Sequence, residues 1–358
     1  MGTRGHSTYV SLGKAFVSSR GGGRRSPWFN CTCVNNDGTP RWHADFKWGQ
    51  PVAVCADEND NTYVTFGYWL TGPDICRIDT QGHVTAMNHI GMWSYRIRYY
   101  NGLLYLLSQE DGLIHRVDPS TLAVVDSYAS TIGQCDLFDV ASNGDILAQH
   151  GSGQEYDAHR FSLYTNAGTR LWGNAWDDPI GGSVGGYYNP LFGGDGNIYT
   201  AGGWTTGYAP GVWIISRADG SVLDSGSLLF AYKRSASVLL WTPGNPVVSG
   251  YWNHLVLART PLSELPNGDF DWSITWSTNQ EPQRLLLHDG DVYVCRTNTS
   301  YPDTNFLLGR FDLATGAQQW LYKERASAWQ GNSYSAADMA AMSDAVVAVH
   351  QRLRRAHV

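Results

Sequence analysis

The chain has 358 residues, 42% hydrophobic and 16% charged, with 40 Gly, 15 Trp and a formal net charge of −7. That hydrophobic content is ample for a packed core and makes disorder not the default, and the many glycines and aromatics point to short strands and tight turns. The negative balance argues against a general nucleic-acid binder, which needs a basic footprint.

Residues 1–27 are Gly/Ser-rich and carry Arg4, Lys14, Arg20, Arg24 and Arg25. No apolar core of a secretory leader stands here, and no run approaches a membrane span, so a leaderless protein is expected. This segment reads as an N-terminal arm, residues 28–351 as one domain, and residues 352–358 (with Arg352, Arg354 and Arg355) as a basic tail that helps solubility or docking.

A repeat follows in chain order. The stretches "CVNNDGTPRW" (33–42), "CRIDTQGHV" (76–84), "HRVDPSTLAV" (115–124), "SLYTNAGTRLW" (162–172), "SRADGSVLD" (216–224) and "GRFDLATGAQQW" (309–320) each read as a strand, a Gly or Asx turn and a second strand. Upstream of most copies stands another hairpin, as in "VAVCADENDNTYVTF" and "RIRYYNGLLYLLS". Units therefore start near Pro51, Tyr95, Gln134, Tyr187, Ser235 and Pro282, each long enough for four antiparallel strands; the unit at Ser235 lacks the Asp-Gly turn. The remainders complement one another: 338–351 supplies two inner strands and 28–45 two outer ones. The spacing predicts an all-β, single-domain β-propeller of seven blades, closed by strands from both chain termini; six or eight blades remain as alternatives.

The cassette at 309–320 resembles the repeat of the quinoprotein-like (pyrroloquinoline-quinone-like) propellers. Asp312, Gly316 and Trp320 fit its docking motif, and Gly168 with Trp172 and Gly38 with Trp42 fit it in part. The resemblance implies that the indole of one blade packs on the turn of the next, a structural role. Quinone dehydrogenases of this kind add clustered oxygen ligands for Ca²⁺ and an export signal, neither of which is found here.

Other chemistries are weakly signalled. "DENDNT" (57–62) reads as a hairpin turn rather than a Ca²⁺ loop, "GGSVGG" (181–186) as a connection between blades, and "CTC" (31–33) lacks the second ligand pair of a zinc site. The six cysteines sit mostly in strand-like runs and are expected to be reduced core thiols. His89, His150, His159, His254 and His288 are scattered over several units, which leaves a convergent His/Asp site near the axis open. No catalytic residue, metal or cofactor is assigned. The connections between second and third strands are rich in aromatics, and Tyr68, Trp69, Tyr156, Trp204, Tyr208, Tyr251, Trp252 and Tyr301 are the candidate binding residues. The expected function is non-catalytic recognition within a large assembly such as a phage virion, through other protein subunits and with glycans as a further partner class. Neither direct nucleic-acid contact nor a membrane span is expected. A propeller enzyme and a carbohydrate-binding module are the alternatives.

Overall fold

The computed structural model describes residues 28–46, 48–49, 51–67, 72–135, 137–150, 159–175, 191–192, 196–202, 211–227, 238–240, 247–252, 254–259, 271–276, 280–298, 305–325 and 338–352. Strands β1 (Trp28–Asn35) and β2 (Pro40–Phe46) form a hairpin. Six sheets of four consecutive strands follow. Blade 1 is β3 (Pro51–Ala56), β4 (Thr62–Phe66), β5 (Ile75–Ile78) and β6 (Val84–Asn88); blade 2 is β7 (Ser94–Tyr100), β8 (Leu103–Ser108), β9 (Ile114–Val117) and β10 (Val124–Ser127). Blade 3 is β11 (Leu137–Val140), β12 (Ile146–Gln149), β13 (His159–Tyr164) and β14 (Arg170–Ala175); blade 4 is β15 (Leu191–Phe192), β16 (Ile198–Gly202), β17 (Gly211–Ile215) and β18 (Val222–Ser227). Blade 5 is β19 (Val238–Leu240), β20 (Val247–Trp252), β21 (His254–Arg259) and β22 (Trp272–Trp276); blade 6 is β23 (Gln280–His288), β24 (Asp291–Asn298), β25 (Asn305–Asp312) and β26 (Gln318–Arg325).

The seventh sheet is composite. β27 (Asp338–Ala341) and β28 (Ala345–Arg352) supply its inner half, and β28 pairs with β1 so that the order is β27-β28-β1-β2. The two ends of the sequence thus build one blade, as the complementary half-patterns predict. The innermost strands contact in turn, β27 to β3 to β7 to β11 to β15, then β16 to β19, β19 to β23 and β23 back to β27. Closure leaves each sheet only its outer strand as an edge.

The units begin within a few residues of their sequence positions; the largest offset is at blade 4, which starts at Leu191 rather than Tyr187. Between blades the core is apolar on both sides of each seam. Cys31, Phe46, Val64, Phe66 and Val347 fill the joint of blades 7 and 1, and Leu147, Phe161, Leu163, Ile198 and Ile215 that of blades 3 and 4. Burial of this kind contributes about 25 cal/mol per Å² of apolar surface.

Each blade turns two different ends to solvent. Connections from first to second and from third to fourth strand leave on one side, called the turn face; connections from second to third strand and from blade to blade leave on the other, the connection face. In blade 7 the second and third strands are β28 and β1, paired through Arg352 and Trp28 at their ends. Segment 1–27 and segment 353–358 therefore both depart from the connection face, side by side. Among the described residues no helix is long and apolar enough to cross a membrane.

Candidate functional site

The repeat motif comes first, because it uses up most of the polar groups on the turn face. In six of the seven blades the third and fourth strands lose one residue of register just after their turn. The extra residues on the fourth strands are Arg41, Thr85, Val125, Leu171, Leu223 and Gln319. Such a bulge sharpens the local twist and blunts an edge strand. It also turns its own side chain outward, which accounts for the exposure of Val125, Leu171 and Leu223. Blade 5 pairs without a shift.

In blades 6 and 7 the residue after the bulge, Trp320 or Trp42, aims at the next blade, and Trp272 of blade 5 does so without a bulge. A Cβ on Gly38 would lie 2.8 Å from Trp320 Cγ, one on Gly82 2.7 Å from Trp42 Cβ, and one on Gly316 2.7 Å from Trp272 Cδ2. These three glycines also have φ of +86°, +86° and +72°, so neither the conformation nor the space admits a side chain. The indole nitrogens then donate to the carbonyl one residue past the first residue of the turn: Trp320 to Asn36 at 2.9 Å, Trp272 to Leu313 at 2.9 Å and Trp172 to Arg217 at 2.8 Å.

Where the tryptophan is missing, another donor reaches the same carbonyl. The Tyr128 hydroxyl donates to Asn166 O at 2.8 Å between blades 2 and 3, and Arg77 Nη1 to Pro119 O at 3.4 Å between blades 1 and 2. Trp42 departs from the rule: its indole N–H is buried and has no hydrogen-bond partner. Trp320, Trp42 and Trp172 thus reach the next blade, with Gly38 against Trp320 and Gly316 against Trp272, while Asp312 caps its own turn through Thr315 and a Cβ on Gly168 would meet Thr131 rather than an indole. Trp272, Tyr128 and Arg77 were not singled out from the sequence. For Trp272 the signal was present, since Gly268 stands four residues before it, the spacing of Gly316 and Trp320.

Around the axis a second set of ties runs between innermost strands. Arg98 Nε donates to Asp139 Oδ1 at 2.7 Å, and Arg96 Nη2 lies 3.7 Å from the same oxygen. The other carboxylate oxygen of Asp139 accepts from Phe192 N at 3.1 Å, and Asp338 Oδ2 accepts from Val54 N at 3.1 Å. Burial alone would lower the affinity of Arg98 for its proton; the Asp139 and Asp338 carboxylates reverse that and keep the guanidinium charged. Blades 7, 1, 2, 3 and 4 are linked by this belt. In sequence it shows only as two Arg two residues apart in "YRIRYY" (95–100), on an otherwise apolar strand.

Histidine and carboxylate pairs occur but serve the scaffold. Thr32 Oγ1, His43 and Asp45 form a hydrogen-bonded chain of 2.9 and 3.0 Å, yet Thr32 is fully buried, so its hydroxyl meets no substrate. His89 pairs with Asp74 at 2.9 Å, and the same carboxylate accepts from Ile90 N and Gly91 N, fastening one connection to another. His150 Nδ1 meets Gln134 O at 2.9 Å and His288 packs beside Tyr293; the side chains of His159 and His254 lie outside the described residues. Among the described residues no group of three or more His, Cys, Asp or Glu side chains could hold a metal ion. All six cysteines are free and buried. Burial pushes the thiols of Cys31, Cys33, Cys55 and Cys76 up, that of Cys33 to about 12.

Of the expected aromatic set, Tyr68, Trp69, Tyr156, Trp204, Tyr208 and Tyr301 lie outside the described residues. Tyr251 and Trp252 were expected in a loop; they instead end β20, where Trp252 pairs with His254 across a one-residue turn. As the second strand of its blade β20 runs toward the connection face, so both residues are at that face but in regular structure.

The class of protein is now defined: an all-β propeller whose blades are joined by quinoprotein-like docking turns. No protein-family model and no curated protein matches the sequence. Solved structures do match the fold. A streptogramin B lyase is 12% identical over 91% of this chain and 98% of its own, with a TM-score of 0.53. The virginiamycin B lyase of Staphylococcus aureus, in an inactive form with quinupristin, is 12% identical over 90% and 99%, at 0.51. A quinoprotein alcohol dehydrogenase-like protein from Bacteroides thetaiotaomicron is 12% identical over 76% and 66%, also at 0.51. At such identity the likeness is one of fold, and fold does not carry activity with it.

Proposed function

We propose that this propeller acts by recognition and holds a protein partner on its connection face. The observation that carries the reading is the difference between the two faces. The described connections of the turn face are short, and several of their carboxylates cap their own backbones, as when Asp118 accepts from Ser120 N and Thr121 N. The connection face receives the end of β20 that carries Tyr251 and Trp252 and the ends of β1 and β28, where Trp28 pairs with Arg352. Binding residues concentrate on connections that a rigid frame positions. Catalysis has less behind it, because the described His and Asp pairs are tied into seams and turns. The reading goes no further than a protein partner and assigns neither a virion nor a glycan.

The test compares faces. Native lysate is sedimented and the fractions are analysed by mass spectrometry for the wild type, for Trp252→Ala on the connection face and for Asp219→Asn on the turn face. Comigration with a second, identified protein should be lost with Trp252→Ala and kept with Asp219→Asn. Migration of the wild type as a free species of 39.5 kDa, or loss with Asp219→Asn alone, refutes the reading.

A further inference from the structure

Each blade ends in an outer strand, and the far edge of such a strand offers unpaired N–H and C=O groups to any other strand. Charge within the strand and bulges along it are two ways in which edges are kept apart. Five of the seven outer strands carry charge: Arg41 and Asp45 in β2, Asp126 in β10, Arg170 in β14, Asp224 in β18, and Lys323, Glu324 and Arg325 in β26. β6 has none but loses register just after its turn. β22, with the sequence Trp-Ser-Ile-Thr-Trp, has no charge and pairs with β21 through all five residues without a shift.

The strand is held firmly from within its own ring. Trp272 docks on Gly316 and donates to Leu313 O at 2.9 Å, and Ile274 packs against the seam cluster of Leu285, Val292 and Phe311. Ser273 between them is exposed, and among the described residues no strand pairs with the outer edge of β22. A strand fixed in this way can accept an antiparallel neighbour with little further loss of conformational freedom.

The residue types along the edge point to the neighbour. Trp-Ser-Ile-Thr-Trp reads almost the same in both directions. Paired antiparallel with its own copy about Ile274, it sets Trp272 opposite Trp276, Ser273 opposite Thr275 and Ile274 opposite Ile274. Every cross-strand position then joins like with like, aromatic with aromatic and hydroxyl with hydroxyl, which are favourable antiparallel combinations. Asp271, the charged residue before the strand, would meet the position of Ser277 rather than its own copy, so no like charges are opposed. In β6 the same pairing would set Val84 against Asn88 and Thr85 against Met87.

We infer that β22 is a self-pairing edge, through which two copies of this chain join two four-stranded blades into one continuous antiparallel sheet. The contact is isologous, with the same surface used by both copies, so it closes at the dimer. It lies on the rim of the ring, goes beyond the recognition of a different protein proposed above, and either stands without the other.

The experiment is sedimentation equilibrium on the purified full-length chain from about 1 μM to about 1 mM, the range suited to a contact as small as one strand edge. A monomer–dimer equilibrium with no larger species is expected, and its Kd should change by less than about threefold between 20 mM and 0.5 M NaCl, because no charges face one another across the axis. Two variants test the register. Ser273→Lys with Thr275→Lys sets like charges opposite one another twice and should raise the Kd roughly tenfold or more. Ser273→Lys with Thr275→Glu sets Lys opposite Glu in the same register and should keep the dimer, now weakened by salt. Trp252→Ala, on the connection face, should leave the dimer unchanged. A wild type that stays monomeric throughout, species larger than a dimer, a Lys/Lys variant that pairs as the wild type does, a Lys/Glu variant as weak as Lys/Lys, or loss of the dimer with Trp252→Ala overturns the inference. Circular dichroism of each variant separates loss of contact from loss of fold.

Discussion

Trp320 and Trp42 occupy the same position in neighbouring blades, yet changing each to Phe should have different consequences. Both indoles pack on a turn glycine of the next blade. Trp320 also donates to Asn36 O at 2.9 Å, whereas the Trp42 N–H is buried without a partner. Replacing either by Phe gives up part of a buried ring, about 1–2 kcal/mol. At Trp320 a hydrogen bond worth about 1 kcal/mol is lost as well. The Asn36 carbonyl is not orphaned, because Arg310 Nη1 reaches it at 2.6 Å. At Trp42 the substitution removes a buried, unpaired donor, whose cost of about 1–3 kcal/mol offsets the lost packing. Trp320→Phe should therefore cost about 2–3 kcal/mol and Trp42→Phe close to zero. Chemical denaturation followed by far-ultraviolet circular dichroism measures both, with equal slopes required for the comparison. A Trp42→Phe protein as unstable as Trp320→Phe would refute the argument.

Two further predictions rest on the same turns. Gly82→Ala places a methyl 2.7 Å from Trp42 Cβ at a φ of +86° and should cost well over the ~1–2 kcal/mol of left-handed backbone alone, while Gly102→Ala, with a φ of +79° and open space, should cost only that amount; equal midpoints in thermal melts of the two proteins would count against the docking geometry. Asp118 and Asp312 have carboxyls held low by Ser120, Thr121 and Thr315, so in the unfolded chain they take up protons at higher pH than in the fold. Their contribution is present above the ordinary carboxylate range near pH 4 and is lost as pH falls through the lower folded values. The melting temperature should drop from about pH 4 downward, and Asp118→Asn with Asp312→Asn should flatten that drop; an unchanged acid limb would show that these caps do not contribute.

Local hairpin chemistry made much of the architecture readable. An apolar strand, an Asx or Gly turn and a second strand can be seen in one sequence, because each hairpin is specified by residues close together. The composite blade was readable for a related reason: 28–45 and 338–351 each carried half a pattern. Docking was less visible. A seam needs any donor that reaches one carbonyl, and Tyr128 and Arg77 meet that need from positions that no fixed spacing predicts. Trp272 was missed because its blade lacks the Asp-Gly turn even though its own glycine spacing is intact. The axial belt depends on the height of Asp139 relative to Phe192, and of Asp338 relative to Val54, which only the stagger of neighbouring blades determines.

The variety of seams bears on how such a ring can change partners. Every joint is closed locally, by an indole, a phenol or a guanidinium over one turn, and by an apolar cluster that involves only the two blades in contact. The hydrogen bond is not required at every seam, since the Trp42 indole packs without one. The turn face cannot vary as freely, since its glycines and carboxylates are engaged in docking and capping. The connection face carries neither duty in most blades, so its loops can lengthen and gain aromatics without loosening the ring. A scaffold that concentrates its structural obligations on one face leaves the other open to selection for binding, and the recognition proposed above would draw its residues from there.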